Sequence, residues 1–213
     1  MRSVMAEKGW TRRETLGGAA LFALAVGIPV AAIRMDDAAE GVTDRQRLML
    51  RHVAQTVIPR TATPGAGDIG AHDFLILALA HGLDGTRAPA AGAALPATMA
   101  RHLRQDGTLD YLDWLEWQLD SRAQGDFLAA APARRQAAVG AIDAEAFAQA
   151  DRDAPESPWK KLKALILTAY YTSETGGSRE LQYELVPGKW EPDLPFVPGS
   201  RAWSSDWTAV EFS

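Results

Sequence analysis

The 213-residue chain contains no cysteine. That absence removes disulfides, covalent haem attachment through Cys-x-x-Cys-His, cysteine-ligated iron–sulfur clusters and thiolate zinc sites. Histidine is nearly as scarce. The four present, His52, His72, His81 and His102, form no His-x-x-x-His pair and no carboxylate pairing that suggests a metal face. Axial ligation of a non-covalent haem by two of them is left open. For His52 and His81, on apolar helix faces, the expectation is a hydrogen-bonded core histidine. Positive charge is also in deficit. The formal net charge is -5 and no lysine–arginine stripe runs along the sequence, which argues against nucleic acid and anionic membranes as partners of the mature domain. No stretch alternates apolar and polar residues long enough to argue a sheet.

What is present begins with two adjacent arginines. Thr11-Arg12-Arg13-Glu14-Thr15-Leu16 precedes an uncharged stretch over 19–33, and polar sequence resumes at Arg34. This is the layout of an export signal, and Arg12 with Arg13 point to the twin-arginine route. Gly17, Gly18, Gly27 and Pro29 interrupt the apolar stretch, which makes a permanent membrane span the weaker reading. Cleavage after Ala31 or Ala32 and retention of the signal are both open. The expected address is the periplasm. That route carries folded proteins, usually because a cofactor is loaded in the cytoplasm. Either this chain holds a cofactor or it travels with a chain that does.

The expected organisation is a signal segment over 1–35, an all-α helical domain over 36–180 and an extended Pro/Trp-rich C-terminal arm over 181–213. The hydrophobic fraction of 47% and charged fraction of 23% are ordinary for one globular domain. Thr43 with Gln46 forms a capping-box pattern, followed by Leu48, Met49, His52, Val53, Thr56 and Val57 at helical spacing until Pro59. A second helix over 74–81 stops at Gly82, and the Gly/Ala/Pro-rich stretch to Pro96 reads as a loose connection. A helix over about 109–123 places Leu112, Leu115 and Leu119 on one side and Asp110, Asp113, Glu116 and Asp120 towards solvent. Pro132 opens a helix to about residue 150 with Val139, Ile142 and Phe147 facing inward. Ser157-Pro158 starts the clearest helix, with Leu162, Leu165, Ile166, Ala169 and Tyr170 as its buried stripe and Gly176-Gly177 closing it. Beyond it, Pro187, Pro192, Pro195 and Pro198 favour an extended path. Trp190, Trp203 and Trp207 on that path need a surface, either this chain's own domain or a partner protein.

Two patterns invite a chemical reading. Gly65-Ala66-Gly67-Asp68-Ile69-Gly70 spells the dinucleotide fingerprint, but that fingerprint works only between a buried strand and a helix. The preceding Pro59-Arg60-Thr61-Ala62-Thr63-Pro64 is no such strand, so the match is a decoy. Tyr170, Tyr171, Ser173 and Glu174 crowd one helix end, where hydroxyls beside a carboxylate suggest acid–base work. No histidine or lysine lies close in sequence to act as base. Packed tyrosines and a glycine cap explain the same residues.

Two longer segments resemble a known family. Ile58-Pro59-Arg60-Thr61-Ala62-Thr63-Pro64-Gly65-Ala66 is similar to the I-P-x-T-x-T-P-G-A signature of the gluconate 2-dehydrogenase subunit 3 family. Tyr170-Tyr171-Thr172-Ser173-Glu174 with Gly176, then Leu181, Tyr183, Pro187 and Gly188, resembles its second signature. Gly177-Ser178 departs from the usual pattern. The resemblance runs from Arg12 to about Pro195 and leaves the tail outside. It implies a non-catalytic small subunit with no cofactor or metal of its own. Such a subunit binds, matures and escorts a flavin-dependent (FAD) sugar or sugar-acid dehydrogenase large subunit through the twin-arginine translocase. A multihaem cytochrome c, with haem c, is the third subunit where one exists. The candidate partner-interface residues are then Arg60, Thr63, Pro64, Tyr170, Tyr171, Ser173, Glu174, Leu181, Tyr183, Trp190, Trp203 and Trp207. The competing readings are a stand-alone periplasmic helical enzyme using Tyr171 and Glu174, and a lone scaffold protein.

Overall fold

A computed structural model describes residues 41–90, 95–148, 155–183, 195 and 197–204. The signal segment with Arg12 and Arg13, and the aromatics Trp190 and Trp207, lie outside the described residues. Among those described the architecture is all-α apart from two strands of two residues each.

Helix α1 (Asp44–Val57) starts as its sequence dictates. The Thr43 hydroxyl accepts from the Gln46 amide at 3.1 Å, and the Gln46 side chain accepts from the Thr43 amide at 3.1 Å. The helix ends because a residue before proline is pushed out of the helical region, and Ile58 is accordingly extended. Its buried stripe is Met49, Leu50, Val53 and Ala54. Leu48, expected on that stripe, is 44% exposed. One residue of helix turns a side chain about 100°, and packing has chosen the phase that starts at Met49.

Helix α2 (Ala71–Ala80) ends with His81 as cap and Gly82 at φ +74°, the left-handed position glycine serves after a helix. The stretch that follows is less loose than expected. It holds a 3-10 turn (Leu83–Gly85), a buried Thr86 and a bridge from Pro89 to Thr108. After the short α3 (Ala97–Ala100), α4 (Tyr111–Ala123) is capped by the Asp110 carboxylate on the amides of Leu112 and Asp113. Leu112, Leu115 and Leu119 are buried as expected. Its acidic face is not simply solvated. Arg45 of α1 reaches across to Glu116, to both oxygens of Asp120 at 2.9 Å and to Asp126 at 2.9 Å.

Helix α5 (Pro132–Ala148) buries Ala138, Val139, Ile142 and Ala146. Phe147, expected inward, is 58% exposed. It sits one residue past the buried Ala146, and the Lys163 ammonium lies 4.7 Å from its ring centroid, a cation–π contact in place of core burial. Helix α6 (Pro158–Tyr171) carries the predicted buried stripe of Leu162, Leu165, Ile166, Ala169 and Tyr170. It packs most extensively on α2, while α4 packs on α5. The helix stops at Tyr171 rather than at the glycines, and the chain coils on through a π-helical turn (Gly176–Glu180). Strand β1 (Gln182–Tyr183) then pairs in parallel with β2 (Trp203–Ser204). The arm, expected to run extended, therefore returns at 201–204 to the end of the helical domain. The Gln182 amide donates to Ala202 O at 2.8 Å, and Arg201 donates to Leu181 O.

Trp159 at the start of α6 is fully buried, and its indole N–H donates to the Asp143 carboxylate at 2.6 Å. Lys163 donates to the same oxygen at 2.7 Å. Partial burial opposes ionisation of Asp143, but the two hydrogen bonds and the lysine charge outweigh it and hold its carboxyl below the ordinary range. A depressed folded pKa contributes stability above the ordinary carboxylate value of about 3.9, and that contribution is lost as pH falls through the folded value. Urea unfolding of the wild type and Asp143→Asn between pH 3 and 7 checks this. The variant is expected to be less stable near pH 7, with the difference shrinking towards pH 3; a constant difference would refute the linkage.

Candidate functional site

The first signature segment folds into a loop clamped on the end of α1. The Ala66 amide donates to Ile58 O at 2.9 Å, closing the loop. Asp68 is its hub. Its carboxylate accepts from the Gly65 amide at 2.9 Å, from Gln55 at 3.1 Å and from Arg60 at 2.9 Å, and its own amide donates to Gln55 Oε1 at 3.1 Å. The Arg60 hydrogen bond is the largest influence on Asp68. With Gly65 and Gln55 it holds the carboxyl below its ordinary range despite some burial. The glycines have a packing cause. A Cβ on Gly65 would stand 2.7 Å from Ile58 O, and one on Gly67 would stand 2.6 Å from Arg51 O. Gly70, at φ +80°, is the left-handed entry to α2. The G-x-G-x-x-G spacing thus serves close approach of a loop to a helix, with no strand before it.

The second signature segment meets this loop. The fully buried Tyr170 donates its hydroxyl to Pro64 O at 3.0 Å across 106 residues of sequence, and Thr63 donates to the Glu180 carboxylate. Ser173 is committed to the helix end, donating to Tyr170 O at 2.6 Å and accepting from the Gly176 amide at 3.1 Å. Gly176 is required by shape, because any Cβ there would overlap the Tyr170 carbonyl. Tyr171 is 40% exposed and meets Tyr170 edge to face at 5.2 Å. Partial burial, then the charge of Glu180 and the neighbouring Tyr170, push its phenol above the ordinary range, so it is neutral at physiological pH. Glu174 is exposed, and its side chain makes no hydrogen bond among the described residues.

The structure therefore brings Arg60, Thr63, Pro64, Tyr170, Tyr171, Ser173, Glu174 and Leu181 to one end of the helical domain, with the backbone of Tyr183 beside them in β1. Trp203 joins through β2 and is 59% exposed. Tyr170 lies inside the fold, so its part in this surface is to hold the loop. A general base must lie within hydrogen-bond reach of the proton it takes. Among the described residues, the hydroxyls of Thr63, Tyr170 and Ser173 bond to a carboxylate or to backbone carbonyls, with no histidine or lysine in reach. The arrangement presents aromatic and charged groups on a braced loop, which suits recognition more than bond making.

Sequence reasoning missed Gln55, Asp68 and Glu180, the residues that hold this surface together, because nothing in their spacing marks them. It also missed the pairing of His102 with Asp113 at 2.6 Å. That pair is no catalytic dyad, since His102 is buried and its Nε2 is enclosed without a partner. His81 Nε2 is likewise buried without a partner, so the expected hydrogen bond there is not made. A cavity of about 190 Å³ between Leu95, Met99, Tyr111 and Pro158 is smaller than the few hundred Å³ typical of a ligand pocket.

The two glycine environments make opposite predictions. Gly176→Ala forces apart the Tyr170 carbonyl and the π-helical turn and is expected to cost roughly 3 kcal/mol, the upper end of overpacking penalties. Gly140→Ala, in the exposed face of α5 with nothing within 4 Å of the new methyl, is expected to stabilise by about 0.8 kcal/mol through helix propensity. Chemical denaturation of both variants checks the pair.

A family model described as gluconate 2-dehydrogenase subunit 3 matches residues 44–188. The match spans α1 to α6 and both signature segments. It is narrower than the resemblance read from the sequence, beginning after the paired arginines and ending before Trp190. No curated protein and no solved structure matches the chain. A match over most of the chain, with Tyr170 of the second signature bonded to Pro64 of the first, places this protein in the gluconate 2-dehydrogenase subunit 3 family.

Proposed function

We propose that the chain is the non-catalytic small subunit of a flavin-dependent sugar or sugar-acid dehydrogenase, and that it binds, matures and escorts the large subunit through twin-arginine export to the periplasm. Family membership carries the coarser part, association with a dehydrogenase catalytic subunit. The observation that supports the finer reading is the braced surface at the end of α6. Its inward hydroxyls are consumed by structural hydrogen bonds, and its outward groups are an aromatic pair member, Tyr171, and an aromatic on the returning arm, Trp203. Exposed tyrosine and tryptophan on a rigid frame are the usual anchors of protein interfaces. The flavin is the partner's, a cytochrome c passes electrons onward where the complex has one, and the paired arginines of this chain supply the export address for both.

Purification of the tagged chain from its native host, with an absorption spectrum of the eluate, tests the complex directly. A larger co-eluting protein with flavin bands that bleach on addition of a sugar or sugar acid is the expected result. Replacing both Tyr171 and Trp203 with alanine is expected to weaken that complex by at least about 2 kcal/mol, some 30-fold in Kd, while leaving helix content unchanged. Equal affinity would remove this surface from the interface. For the escort role, Arg12→Lys with Arg13→Lys should strand the flavoprotein in the cytoplasm. Its arrival in the periplasm without a competent signal on this chain would refute that role.

A further inference from the structure

Tyr111 opens α4 and is only 9% exposed, yet its hydroxyl makes no hydrogen bond among the described residues. A phenol hydroxyl so deeply placed normally finds a partner. The Trp114 indole and Nε2 of His81 also lack partners, but those atoms are enclosed by protein, whereas the Tyr111 hydroxyl is not. Tyr111 forms part of the wall of the cavity of about 190 Å³, so its hydroxyl opens there. Three more polar side chains line that cavity without being used up by the fold. Ser157 starts α6 but makes no capping hydrogen bond. Glu156 is exposed and has no hydrogen bond or ion pair among the described residues. Lys161 donates to Asp84 O at 2.9 Å, which leaves its other N–H donors free.

The wall sets the chemistry of an occupant. Leu95, Met99, Leu109 and Pro158 give it an apolar side. Tyr111, Ser157 and Lys161 can donate, while Glu156 and the two hydroxyl oxygens can accept. Burial first, and then the charges of Asp84 and Glu156, raise the Tyr111 phenol above its ordinary range, so the hydroxyl keeps its proton. An anion entering here meets the charges of Glu156 and Asp84, and a cation meets Lys161. A neutral molecule whose own hydroxyls both donate and accept meets neither obstacle. An apolar cavity of about 150 Å³ holds benzene. A space of about 190 Å³ therefore suits a small molecule and is too small for a nucleotide or a flavin.

We propose that this cavity binds a small neutral polyol, no larger than a monosaccharide, through the Tyr111 hydroxyl, Ser157, Glu156 and Lys161. The site stands at the start of α6. The signature surface stands at the other end of that helix, roughly 20 Å away at about 1.5 Å per residue. Polyol binding is thus separate from the proposed interface and does not rest on the subunit reading.

Titration of the nitrogen-labelled full chain with D-glucose, glycerol and D-gluconate, followed by amide chemical shifts, tests the site. The expected result is saturable shifts around Tyr111, Ser157 and Lys161 with D-glucose or glycerol, and weaker binding of the anionic D-gluconate. Tyr111→Phe should weaken polyol binding about 10-fold, the loss of one hydrogen bond. It removes only an oxygen that bonds to nothing in the fold, so its urea midpoint without polyol should equal or exceed that of the wild type. Ser157→Ala should weaken binding in the same direction. Polyols also stabilise folded proteins through exclusion from the surface, but that effect is shared by wild type and variant and does not saturate. Absence of saturable shifts with either polyol would overturn the proposal, as would unchanged affinity in Tyr111→Phe. Tighter binding of D-gluconate than of D-glucose, lost in Lys161→Met, would make this an anion site and overturn the neutral assignment. None of these outcomes bears on whether the chain binds a dehydrogenase catalytic subunit.

Discussion

The contact on which the rest depends is the one between the end of α6 and the loop after α1. Tyr170 reaches Pro64 O, and Gly176 lies so close over the Tyr170 carbonyl that no side chain fits. Helix α6 could otherwise end anywhere after its buried stripe. Here it must stop at Tyr171, because Ser173 turns back on the Tyr170 carbonyl and the following residues coil into a wider turn. That turn delivers Glu180 to Thr63 and sets Gln182 where the returning arm pairs with it. π-Helical turns are uncommon and concentrate at functional positions. In this protein the turn makes room for a loop to be clamped beneath a helix end.

The clamp is polar, and the domain beneath it is held by burial. Its ion pairs are mostly half-exposed, and such pairs contribute between nothing and about 1 kcal/mol each. The fully buried Trp159, Tyr170, Phe127 and the leucines of α4 and α6 carry more, at about 1.5–3 kcal/mol for each large apolar side chain removed from water. The Trp159 indole inside this core donates to Asp143, whereas the Trp114 indole and Nε2 of His81 and His102 are enclosed without a partner. Arg45 acts differently. By drawing Glu116, Asp120 and Asp126 together it ties α1 to α4 and to the connection that leads into α5, so its value is in fixing the geometry of that corner.

The elements readable from sequence were those governed by local rules. The capping box at Thr43, the proline stop after Ile58, the glycine after His81, Pro158 at a helix start and the apolar stripe of α6 all follow from single-residue preferences. The errors have one cause, which is that helix phase and loop order are set by distant contacts. Leu48 and Phe147 miss the core by one residue, and the acids of α4 face Arg45 from a different helix. The site was legible as two strings of residues but not as one place. Nothing local announces that Tyr170 will meet Pro64 or that Asp68 will organise Gly65 and Arg60.

That non-local construction has a consequence for recognition. The surface at the end of α6 needs residues near 60 and residues near 175 side by side, so it exists only when α1, α2 and α6 have packed. A partner that recognises this surface binds the folded chain and has no counterpart to bind in the unfolded one. Such binding stabilises the folded state by mass action. On the proposed route, where cargo crosses the membrane folded, this gives the escort a physical criterion. On that proposal, a chain bearing the export address would hold its partner only after its own core is complete, and the partner would in turn protect that core. Coupling address to folding in this way requires no cofactor, no cysteine and no catalytic group in the small subunit. It requires a loop and a helix end, 106 residues apart, that meet through one tyrosine.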